Sequence, residues 1–251
     1  MRFRPCIDIH GGKVKQIVGG SLNDEGAKEN FVSDMSAVDF ATMYARDGLT
    51  GGHIILLDKA GTPEYDADLE LAKQALNRFP GMWQIGGGIN PENAEEFLDA
   101  GASHVIVTSY VFDDGQIHFD RIEELKYVTG KNRLVLDLSV RKKDGEYYIV
   151  TNRWQNFTKH VLTAEFVNDL SYYCDEFLIH AVDVEGKQAG PDEELLAVLS
   201  DARAIITYAG GIGSYEDIDV IKSAAGGRID FTIGSALDIF GGPLSYKQIV
   251  M

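Results

Sequence analysis

Two aspartates and two glycine pairs are the residues of this chain whose type and spacing could do chemistry. Asp8 stands in PCIDIH and Asp137 in LVLDLS, each near the end of a short apolar, β-branched run. A carboxylate in such a place is costly to bury unpaired. Two that converge on one pocket suit proton transfer, one ionised as base and the other held protonated as acid. The glycine pairs lie in two related stretches, WQIGGGINPENAEEFLDAG from Trp83 and ITYAGGIGSYEDIDVIKSAAGG from Ile206. Where a strand passes into a helix, bare glycine backbone lets an anion reach N–H groups, and the helix start adds about half a positive charge. Each stretch is followed by another apolar run that ends in small residues, Thr108-Ser109 and Gly234-Ser235. Candidate phosphate contacts are therefore Gly87, Gly88, Thr108 and Ser109 in one copy and Gly210, Gly211, Gly234 and Ser235 in the other. Two opposed cradles suit a substrate with a phosphate at each end. The competing reading is that the glycines only ease tight turns.

The elements that must position these groups repeat as well. Gly88 and Gly211, Ser109 and Ser235, and Asp8 and Asp137 are separated by 123, 126 and 129 residues. Strand-like runs occur at 5–9, 53–58, 83–87, 104–109, 133–139, 176–182, 204–210 and 229–235, about 31 residues apart. Helix-like amphipathic stretches alternate with them at 36–48, 66–79, 91–101, 118–130, 163–174, 192–202 and 214–225, and 245–251 could form a last one. Eight such units in 251 residues predict an α/β fold, a single-domain (β/α)8 barrel, rather than a doubly wound open sheet. The offsets predict two half-barrel repeats, at about 1–128 and 129–251, whose equivalent residues face one mouth.

Composition narrows the function. The chain is 45% hydrophobic with a formal charge of −16, and no cluster of basic residues offsets it, so nucleic acid is not an expected partner. No apolar run approaches the roughly 20 residues of a membrane span, and the N-terminus lacks a signal-like apolar stretch. Two cysteines without CxxC spacing predict a reducing, cytoplasmic setting. The six histidines show no HxH, HxxxH or HExxH spacing, so no metal site is predicted, and no GxSxG elbow or GxxxxGK[ST] loop is present. His180 lies in the sixth strand and could reach the mouth, although a packed histidine is the commoner case. Trp154, in NRWQNFT, is placed in a loop as either a lid over the mouth or a packing anchor.

Taken together, PCIDIHGGKVKQIVGG, QIGGGIN, LVLDLS, NRWQ, FLIHAVDVEG, YAGGIG and IGSALDIFGG resemble the histidine-biosynthesis isomerases that act on phosphoribosylformimino-5-aminoimidazole carboxamide ribotide, most of all their eukaryotic branch. The resemblance runs from the first strand to the last. It implies an Amadori rearrangement of a bisphosphorylated ribotide with no cofactor, no metal and no obligatory protein partner. By position, Asp8 would remove the C2 proton, Asp137 would assist ring opening as general acid, and Trp154 would stack on the aromatic end of the substrate. The chain departs from the bacterial branch at strand six, where Ala181-Val182-Asp183-Val184-Glu185-Gly186 stands in place of a Thr-Asp-Ile…Arg-Asp-Gly run. If the acid comes from strand six it is Asp183 or Glu185, and Asp137 orients the substrate instead. Rival expectations are the sister cyclase subunit of imidazole glycerol phosphate synthase, which shares the half-barrel repeat, and an idle barrel that only binds sugar phosphates. Retention of both aspartates opposes the idle barrel, since a pure binder of dianions would gain from neutral groups.

Overall fold

The computed structural model describes residues 1–17, 29–113, 115–151 and 154–251. The apolar, β-branched runs form eight parallel strands: β1 (Cys6–His10), β2 (Gly52–Leu56), β3 (Trp83–Gly86), β4 (His104–Val107), β5 (Leu134–Lys143), β6 (Glu176–Ala181), β7 (Ile205–Ala209) and β8 (Asp230–Phe231). They pair in chain order. The sheet then closes on itself, because the Arg4 N–H donates to the Phe231 carbonyl at 2.8 Å and the Phe231 N–H to the Arg2 carbonyl at 3.0 Å. The result is a (β/α)8 barrel.

Helices α1 (Ala37–Arg46), α2 (Pro63–Arg78), α3 (Pro91–Asp99), α4 (Phe119–Thr129), α5 (Ala164–Leu170), α6 (Glu193–Ser200), α7 (Tyr215–Ala224) and α8 (Tyr246–Val250) alternate with the strands. Their starts are set locally. Ser36, Asn90 and Ser214 each form a reciprocal capping box with the third helical residue, Asp39, Asn93 and Asp217. Among the described residues no helix is long and apolar enough to cross a membrane.

Side-chain alternation sorts each strand into two faces. Ile7, Ile9, Leu134, Leu136, Phe177 and Ile179 join the large core between strands and helices. Ile106, Val135, Leu178 and Ala209 form a separate small cluster inside the barrel. The inward rows therefore read Val135, Asp137, Ser139 on β5 and Glu176, Leu178, His180 on β6. At the N-terminal end the barrel is plugged by charge rather than hydrocarbon. Arg4, 2% exposed, donates through Nε to Asp230 and through Nη1 to Glu176, both at 2.8 Å, and Gln84 Nε2 adds a bond to Glu176 at 2.7 Å.

Several features differ from the sequence expectation, among them β8, expected over 229–235 and formed only by Asp230–Phe231. The α2 helix begins at Pro63 instead of residue 66, because Thr62 caps it by accepting from the Tyr65 N–H and the proline is preset for the first turn. The region after β5, expected as loop, carries antiparallel strands at Glu146–Thr151 and Asn156–Val161. Its first turn is Asp144-Gly145, both at positive φ of 53° and 87°, the geometry that an Asp-Gly hairpin favours. A second antiparallel pair, Lys13–Ile17 with Glu29–Val32, follows β1.

Candidate active site

A cavity of about 470 Å³ opens at the C-terminal end of the strands. Asp8 enters it from β1 and Asp137 from β5, each two residues along the inward row from an interior neighbour, Cys6 and Val135. Gln16, from the hairpin after β1, is 5% exposed and donates through Nε2 to Asp8 Oδ2 at 3.0 Å. Burial pushes the Asp8 carboxyl up to about 7, aided by the negative charge of Glu185 and opposed by His180 and the Gln16 hydrogen bond. Such a carboxylate is basic enough to take a proton near neutrality, which an exposed aspartate is not.

The opposite wall is a hydrogen-bonded chain. His180 Nδ1 meets Asp137 Oδ1 at 3.0 Å. Ser139 Oγ donates to the same oxygen at 3.4 Å and accepts from the Trp154 indole N–H at 3.0 Å. Burial acts against the imidazolium, but Asp137 beside it, with Glu185 and Asp8 beyond, outweighs that cost and pushes His180 up to about 9. Trp154 sits at a left-handed φ of 69°, with its ring 6.4 Å from that of His180 and tilted 41° to it. Strain of this kind in a non-glycine residue persists where surrounding bonds hold it, here the bond to Ser139.

Glu185, just past β6, is partly exposed as a residue, but its Oε2 is closed to solvent and has no hydrogen-bond partner among the described residues. Burial raises its pKa, with His180 acting in the opposite sense. His53 on β2 is pushed down to about 3 by burial and by the His180 charge, so it is neutral. The Cys6 thiol is likewise held protonated by burial and by Asp8.

Thr108, Ser109, Gly210, Gly211, Gly234 and Ser235 also line the cavity. Gly211 and Gly234 are glycines for close approach: a Cβ would lie 2.0 Å from the Gly190 carbonyl oxygen and 2.3 Å from Gln16 Oε1, respectively. The N–H groups of Gly213 and Ser214 are already bonded to Asp217 at 2.8 and 2.9 Å, so the cap of α7 occupies part of the expected cradle. Gln188 Nε2 reaches over to the Ser235 carbonyl at 3.2 Å.

Three expected positions are not brought to the cavity. Asp183 turns away: its carboxylate accepts from Arg141 Nε and the Lys142 N–H, both at 2.9 Å, which ties the loop after β6 to β5. Gly87 and Gly88 lie at the β3 turn, with their carbonyls bonded to the Tyr65 hydroxyl at 3.1 Å and to Asn93 Nδ2 at 2.9 Å. A Cβ on Gly87 would fall 2.2 Å from the Leu56 carbonyl oxygen, so tight packing alone requires that glycine. Sequence reasoning passed over Gln16 and Ser139 and left His180 open between a place at the mouth and a packed one. The inward row of β6 was the signal for His180, which lies two residues past Leu178 and four past Glu176.

Residues 2–241 match the family model described as histidine biosynthesis protein. The chain is 51% identical over 257 residues to the chloroplastic 1-(5-phosphoribosyl)-5-((5-phosphoribosylamino)methylideneamino)imidazole-4-carboxamide isomerase of Medicago truncatula, covering 100% of this chain and 81% of that protein. It is 44% identical to the isomerase of the same name from Yarrowia lipolytica, covering 96% of this chain and 93% of the relative. The isomerase of that name from Saccharomyces cerevisiae is 42% identical, with 97% and 94% covered. The chain therefore belongs to the histidine biosynthesis protein family of (β/α)8 barrels.

Proposed function

We propose that this protein is the isomerase that converts phosphoribosylformimino-5-aminoimidazole carboxamide ribotide to its phosphoribulosyl form, an aminoaldose-to-aminoketose rearrangement in histidine biosynthesis. The observation that carries the mechanism is the asymmetry of the cavity: a carboxylate with a pKa near 7, Asp8, faces a proton-bearing wall made of Asp137 and His180. The rearrangement is redox-neutral and needs two things of the protein, a base for the C2 proton and an acid for the ring oxygen. Asp8 serves as the base, and the acid comes from the opposite wall.

The two phosphates fall to the two groups of small residues at the rim, Gly210, Gly211, Gly234 and Ser235 on one side and Thr108 and Ser109 on the other. Their backbone N–H and hydroxyl groups hold anions in a molecule whose net charge of −16 repels them at long range. Trp154, tethered above His180, covers the heterocycle. The reading includes a cytoplasmic setting, which the two buried, unbridged cysteines suit, and action without an obligatory protein partner or a nucleic acid.

Turnover of the purified ribotide, coupled to the downstream synthase, tests this directly. The wild type turns over, and Asp8→Asn loses about 10³-fold in kcat while still binding the ribotide. Tight binding by the wild type without turnover would instead indicate the cyclase or an idle barrel.

A further inference from the structure

We infer that His180, through Nε2, is the general acid that protonates the ring oxygen, and that Asp137 is the residue that positions it rather than the proton donor. This rests on the isomerase reading above and assigns the acid within it.

The geometry separates the two roles. Asp137 Oδ1 faces both His180 Nδ1, at 3.0 Å, and the Ser139 hydroxyl, so this carboxyl oxygen is engaged in holding the imidazole in place. His180 Nδ1 is committed to that bond. Its Nε2 has no protein partner among the described residues and is not among their closed, unpartnered atoms, and the ring lines the cavity. One N–H is therefore anchored and the other is free to reach substrate. This is the arrangement in which a carboxylate fixes an imidazole's tautomer and direction.

The surrounding charges favour the protonated ring from three sides: Asp137 on β5, Asp8 on β1 and Glu185 after β6. His53 on β2, the other histidine lining the cavity, is neutral and adds no competing charge. No lysine or arginine is among the described residues that line the cavity, so His180 is the one lining group there that can carry a proton as a cation.

The proton balance closes with these two groups. His180 Nε2 gives its proton to the ring oxygen as the C1–O bond breaks and the nitrogen lone pair forms a C1=N bond. Asp8 takes the C2 proton, a C1=C2 bond forms, and the C1=N electron pair returns to nitrogen. The 2-hydroxyl proton then passes to His180 as the C2 carbonyl forms, and the proton on Asp8 goes to C1. Both groups end in their starting states, as an isomerase requires.

The test is the pH profile of kcat/KM for the wild type, His180→Gln and Asp137→Asn, with folding checked by circular dichroism. The wild type should show a rising limb from Asp8 near pH 7 and a falling limb from His180 near pH 9. His180→Gln should lose about 10²- to 10³-fold in kcat with KM changed less than about threefold, and should lose the falling limb. Asp137→Asn should keep a falling limb displaced to lower pH by about one unit or more, because the imidazolium loses its adjacent negative charge. Near-normal kcat in His180→Gln, or a falling limb that stays in place in Asp137→Asn, would overturn the assignment. Should His180→Gln not fold, the wild type and Asp137→Asn decide the matter between them. Absence of turnover in the wild type would instead defeat the underlying isomerase reading.

Discussion

At the scale of single residues, the site depends on neighbours that set protonation. Asp8 becomes a base only as pH rises through about 7, because burial and Glu185 disfavour its charged form. Gln16 acts in the opposite sense by donating to the carboxylate at 3.0 Å. In Gln16→Leu that stabilisation is lost, and a hydrogen bond to a charged group is worth about 1.5 kcal/mol, or roughly one pH unit. The acidic limb of kcat/KM should therefore move up by about one unit. The variant should be several-fold slower at pH 7 and recover most of the difference near pH 8. Asp8 and Asp137 were legible in the sequence because they end apolar runs at repeat-equivalent positions, 129 residues apart. Gln16 was not, since a glutamine in KVKQI carries no sign of which strand its hairpin will fold against.

At the scale of elements, loops from distant parts of the chain interlock over the mouth. Gly234, beyond β8, supports the hairpin after β1 by having no side chain where Gln16 Oε1 comes to rest. Gly234→Ala should push the end of that flexible side chain off Asp8. It should shift the acidic limb in the same direction as Gln16→Leu, with a melting temperature changed by only a few degrees. The double variant should be no worse than the more severe single one, since both act on one bond; additive losses would show that Gly234 acts otherwise. The hairpin after β5 shows how partial the sequence reading was. Its Asp144-Gly145 turn and the alternating VRKKDGEYYIVT are hairpin signals, but only the structure shows that it carries Trp154 to Ser139.

At the scale of the whole molecule, the two ends of the barrel do different work. The C-terminal mouth holds unpaired and strained groups, while the N-terminal floor is fully paired through Arg4, Glu176, Asp230 and Gln84. These residues join β8 to the chain ahead of β1, so the floor secures closure of the barrel. Arg4→Met would leave the buried Glu176 carboxylate without its cation, while Asp230 keeps Arg2, a change worth about 3–5 kcal/mol. The urea midpoint should fall accordingly, with kcat under folding conditions unchanged within about twofold, because the floor does not touch the cavity. A large loss of kcat without loss of stability would show that the two ends are coupled.

The sequence by itself determined the eightfold alternation of strand and helix, its near-repeat over about half the chain, and the two aspartates that face one cavity. These are periodic or compositional properties, fixed by which faces must be buried. Tertiary structure alone decided which glycines reach the cavity and which only relieve packing, that Asp183 is spent on Arg141, and that His180 joins Asp137. Each of these depends on distances between strands and loops far apart in the chain, and a local pattern carries no information about what stands across the barrel.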